Sequence, residues 1–98
     1  MSFATLLTED RRLAILCLLA QAPGTSANTY VLGCGLRAMG HNVSGDMVET
    51  DAAWLVEQGL ATMEDLGQVR VLSLTQRGDD VAAGRAVVPG VKRPVPGV

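Results

Sequence analysis

The sequence predicts a mainly α domain with a small β-hairpin, arranged as a winged helix-turn-helix: a three-helix core, a wing and a short C-terminal helix. Three observations carry this prediction. Three runs with helical apolar spacing come first. The second and third are joined by a short glycine-containing turn, as in a helix-turn-helix. The third is followed at once by two short alternating stretches around Asp65-Leu66-Gly67-Gln68, which read as a hairpin.

The first helix is expected over 8–22. Thr8 is a suitable cap ahead of Glu9 and Asp10, and Pro23-Gly24 ends the run. Leu13, Leu16, Cys17 and Ala20 form one stripe, yet Ile15, Leu18 and Leu19 make the far side apolar too. A helix greasy all round is buried all round, or meets a partner. That surplus points to a homodimer, with Leu6, Leu7, Ile15 and Leu19 at the seam.

The second helix is expected over 26–39, with Leu32, Leu36 and Met39 inward. Gly33 and Gly35 weaken it by about 1 kcal/mol each, and suit a close helix contact. No strand precedes Gly33-Cys34-Gly35, so it is no nucleotide fingerprint. Ser44 caps the third helix, which Gly59 closes; Val48, Ala52 and Leu55 face the core. Trp54 reads as half-buried packing, and Met39, Met47 and Met63 as core filler. Strands follow over 61–64 and 69–74, with Leu72 and Leu74 inward. Thr75 caps a last helix over 75–86. Residues 1–86 thus form the domain, and the Pro- and Gly-rich stretch 87–98 reads as a mobile tail.

The 98 residues suffice for one domain with a compact core. Apolar residues make up 48 % and charged residues 18 %, which excludes a disordered chain. The net charge of −2 is unlike the basic balance of strong nucleic-acid binders. Cys17, Cys34 and His41 are too few for a metal site, so no metal or other cofactor is expected. The isolated carboxylates and a single histidine give no catalytic set. Arg11-Arg12, LAILCLLA and Ala20-Gln21-Ala22 imitate a signal peptide, but Glu9 and Asp10 spoil the basic leader. No apolar run reaches the ~20 residues of a membrane span, and a cytoplasmic location is expected.

Trp54-Leu55-Val56-Glu57-Gln58-Gly59-Leu60 before a hairpin, and Leu74-Thr75-Gln76-Arg77-Gly78 after it, resemble phrases of winged-helix repressors of the ArsR and MarR type. A closer resemblance spans nearly the whole chain. Its residues are Leu7-Thr8-Glu9-Asp10-Arg11-Arg12, Asp51-Ala52-Ala53-Trp54-Leu55, Leu74 to Arg85, and Val88-Pro89-Gly90-Val91-Lys92-Arg93-Pro94. They resemble a family of small winged-helix proteins of Mu-like phages and prophages. The resemblance implies a phage origin and the winged-helix fold. That family typically has a basic or amide residue near positions 45–49, where this chain has Gly45, Asp46, Met47, Val48 and Glu49.

Two functions follow as expectations. The first is a dimeric DNA-associated regulator of double-stranded DNA. Arg70 on the wing, with Arg77, Lys92 and Arg93, would meet phosphates, and Ser44 and Thr50 would be the contacts of the third helix. The second is a module that binds a basic protein partner through Asp46, Glu49 and Glu57. Charge favours the second. Between Ser44 and Asp65 there is no Lys or Arg, so the third helix is not expected to read bases by itself.

Overall fold

The computed structural model describes residues 2–95. Its first helix, α1 (Phe3–Gln21), begins five residues earlier than its spacing suggests. The Ser2 hydroxyl accepts from the Thr5 amide and caps it. Thr8, the expected cap, lies inside the helix and donates back to the Ala4 carbonyl. Helix α1 runs through the middle of the domain, which explains its apolar surplus. It packs on the later helices and on the sheet, and Ile15, Leu16 and Leu19 are fully buried.

A short 3-10 turn at Pro23–Thr25 leads into β1 (Ser26–Asn28), where a helix was expected. The chain arrives extended at Ser26, and Ser26 and Ser73 share a hydroxyl hydrogen bond of 2.7 Å. Asn28 accepts from the Val31 amide, so α2 (Thr29–Ala38) starts three residues later than expected. Gly35 lies where α2 crosses α1. A Cβ there would stand 2.9 Å from a Leu18 methyl, so glycine is what permits this approach.

Ser44 caps α3 (Gly45–Glu57) through the Met47 amide, and Val48, Ala52 and Leu55 enter the core as predicted. Hairpin strands β2 (Ala61–Asp65) and β3 (Arg70–Leu74) follow. They pair from Ala61↔Leu74 to Asp65↔Arg70. Strand β1 joins the other edge of β3, which gives an antiparallel sheet of order β1-β3-β2. Thr75 caps α4 (Gln76–Ala82), shorter than expected, and its hydroxyl donates to the Gly59 carbonyl. Gly78 lets α4 lie on the hairpin entry: a Cβ at 78 would fall 2.0 Å from the Leu60 carbonyl oxygen.

Residues 87–95 do not hang free as the predicted tail. Val88 and Val91 are buried in the core cluster. Arg12 donates to the Gly90 carbonyl at 3.0 Å, and the Lys92 amide donates to the Glu9 carbonyl. Between the two valines, Gly90 lies against α1 and α3: a Cβ there would stand 2.7 Å from the Trp54 ring and 3.1 Å from Arg12. The rest of the expected tail, 96–98, lies outside the described residues. Met39 and Met47, expected as core filler, are exposed, while Met63 packs partly against the core.

Among the described residues the chain thus forms four α-helices and a small three-stranded antiparallel sheet. This order is compatible with a winged helix.

Candidate functional site

The outward side of α3 carries Asp46, Glu49, Thr50, Ala53 and Glu57, spaced as one helical face. Asp46, Thr50, Ala53 and Glu57 are exposed, and Glu49 is half-buried. Ser44 is exposed too, but its hydroxyl is engaged as the cap of α3. The hairpin rises beside this face. Its tip is set by an Asx turn, in which Asp65 accepts from the Gly67 amide.

Glu49 ties three elements together. One carboxylate oxygen accepts from the Thr29 hydroxyl of α2 at 2.8 Å. The other accepts from Arg70 Nη1 of β3 at 3.0 Å. Arg70 also lies 3.6 Å from Asp65. Its hydrogen bond to Glu49, then the charges of Glu49 and Asp65, hold the guanidinium above its ordinary pKa. Arg70, the expected phosphate contact of the wing, is therefore spent on carboxylates. Beside Glu49, Arg70 and Asp65, between α2 and the hairpin, opens a cleft of about 350 Å³ lined by Tyr30, Val69, Gln68 and these three charged groups. Tyr30 is 72 % exposed.

The remaining cations scatter, the expected phosphate contacts Arg77, Lys92 and Arg93 among them. Lys92 is paired with Asp10 at 3.3 Å. Arg85 is held by Asp79 and Asp80, and in return it pulls the Asp80 carboxyl below its usual range. Arg37, Arg77 and Arg93 have no acidic partner among the described residues. They sit on α2, on α4 and in the C-terminal segment. The expected dimer seam divides as well. Leu6 and Leu7 are exposed, but Ile15 and Leu19 are wholly inside the core and cannot line an outer seam.

A second charged cluster was not foreseen. Asp51 is buried, and Arg11 grips it through both Nε and Nη2. Arg12 lies 3.8 Å from the same carboxylate and stacks over Trp54 at 3.9 Å. The signal was present in the spacing: Asp51 falls on the inward stripe between Val48 and Leu55. His41, whose ring is nearly enclosed, meets Asp10 at 2.8 Å and pins the α2–α3 turn to α1. These contacts tie α1 to α3 and to the turn before it. Among the described residues no helix is long and apolar enough to cross a membrane.

The fold and this face define a small α-rich domain with a three-stranded sheet and an acidic, partly apolar surface. The chain belongs to a family of Mu-like phage proteins. It is 53 % identical over 91 residues to the uncharacterized protein gp26 of Escherichia phage Mu, covering 93 % of this chain and 94 % of that one. An uncharacterized protein of Haemophilus influenzae is 46 % identical over 78 residues, covering 79 % of this chain and 76 % of the relative. No family model matches the sequence, and no solved structure matches the fold.

Proposed function

We propose that this phage protein is a winged-helix interaction module. It meets a basic protein partner on the face of α3 and the hairpin, and it does not read bases through α3. The observation that carries this is the Arg70–Glu49 pair. The wing cation is neutralised by the helix that would enter the groove. Asp46 and Glu57 extend the negative charge along α3, while Tyr30 and Leu66 stand exposed beside the wing. An exposed aromatic flanked by carboxylates suits a protein surface of opposite charge. A duplex would face three carboxylates instead of the 6–10 phosphate contacts, roughly, of a site-specific complex.

The second reading is a DNA-associated regulator. The order of helices, wing and third strand favours it, with Arg77 and Arg93 as cations not already matched to an acid. One experiment separates the two: titration of labelled random-sequence duplex with the protein at low and high salt. The interaction module predicts no binding at either. Affinity that falls steeply with salt and is weakened by Arg70→Ala would establish the regulator instead.

A further inference from the structure

We infer that the outer edge of β2 is a docking site for an extended basic segment of the partner protein, which joins the sheet as one more strand. This rests on the partner reading above and deepens it. The sheet order β1-β3-β2 leaves β2 at an edge. Its hydrogen-bonding register follows from the bonds at its two ends. The Leu66 amide donates to the Val69 carbonyl, and the Thr75 amide donates to the Leu60 carbonyl. In an antiparallel pair, residues that turn their N–H and C=O toward the neighbouring strand alternate with residues that turn them away. Both ends give the same answer. Leu60, Thr62, Glu64 and Leu66 bond toward β3, while Ala61, Met63 and Asp65 aim their backbone groups outward. Ala61 is buried, but Met63 is only half-buried and Asp65 is exposed. Among the described residues no turn, loop or helix bonds to the backbone of Met63 or Asp65. Such an open row of donors and acceptors is a template for another strand.

Charge decides which strand fits. Glu64 is exposed opposite Val71 and has no cationic partner among the described residues. Asp65 shares the guanidinium of Arg70 with Glu49. Three carboxylates thus meet one cation, and the edge keeps an excess of negative charge. Pairing β2 with the β2 of a second copy would bring two such sets to one seam with no cation between them. Like charges across strands oppose that pairing. An extended segment with two successive Lys or Arg residues is the complement. Successive side chains of a strand point to opposite faces, as Glu64 and Asp65 do. One cation therefore stands beside Glu64 and the next beside Asp65, and opposite charges on neighbouring strands stabilise the pairing.

The test is a nuclear magnetic resonance titration of the isotope-labelled full chain. The probe is a short capped peptide of valine and threonine around a central Lys-Arg pair. The expected result is a set of shifts centred on Thr62 to Asp65, with slowed amide exchange at Met63 and Asp65. Methylating alternate backbone nitrogens of the peptide keeps its charge and should abolish binding. Glu64→Lys, at an exposed position, should weaken binding severalfold. Met63→Pro removes an outward amide and no bond to β3, so it should also abolish binding; Glu64→Lys still decides if the proline disturbs the fold. A methylated peptide that binds equally well, with shifts on Asp46 and Glu57 and none on β2, would overturn the edge site and leave the basic-partner reading standing. A peptide that binds nowhere even at low salt would also overturn the edge site, while the duplex titration judges the wider reading separately.

Discussion

Asp51 is 2 % exposed, and two arginines surround it. Removing one side of such a buried pair leaves an uncompensated charge inside the fold, typically at a cost of about 3–5 kcal/mol. Asp51→Ala is therefore expected to lower the urea midpoint sharply, and an unchanged midpoint would mean that Arg11 finds solvent. The residue was legible as an inward position by its spacing, but not as an ion pair. Its closer partner, Arg11, lies forty residues away in sequence, and one chain gives no sign of such pairings. The two thiols make a milder case. Burial, and then the Asp10 charge, push the Cys17 thiol up, whereas Cys34 is exposed on α2. Less thiolate and less access both slow Cys17. Mass-spectrometric alkylation near pH 8 should label Cys34 first, and equal rates would contradict the enclosure of Cys17.

At the scale of elements, the parts read correctly are those whose signal is local. The cap at Ser44, the stripe of Val48, Ala52 and Leu55, and the hairpin around Gly67 are all written within a few residues. The parts misread depend on distant chain. Ser26–Asn28 is extended because β3 offers an open edge, and no pattern within three polar or small residues reveals that. Leu6 and Leu7 read correctly as outward, while Ile15 and Leu19 read falsely so, since only the packing of all the elements decides which side of α1 is covered. The C-terminal stretch shows the same dependence. Its prolines suppress periodicity, yet Val88 and Val91 are buried in the core cluster. Burying a valine contributes about 1.5–3 kcal/mol. Truncation after Ala86 should thus destabilise the domain by several kcal/mol in urea titration; a truncated chain as stable as the full one would return this segment to the status of a tail.

At the scale of the whole molecule, shape and charge disagree, and that disagreement is testable. The order of helices and hairpin is compatible with a winged helix, and in a DNA-reading winged helix Asp46, Glu49 and Glu57 would line the side that enters the groove. If charge alone bars DNA, then reversing it should admit DNA. Asp46 and Glu57 are the positions to change, because both are exposed and neither forms an ion pair among the described residues. The Glu49–Arg70 tie between α3 and the hairpin stays intact. Asp46→Lys with Glu57→Lys replaces two negative charges by two positive ones on one face. Each new phosphate contact adds about 0.9 to the slope of log affinity against log salt. The double variant should therefore gain random-duplex binding with a slope near two, where none is expected of the parent. A correctly folded variant that still ignores DNA would mean that the face does not present α3 to a groove. The winged-helix reading would then fail on geometry and not on charge.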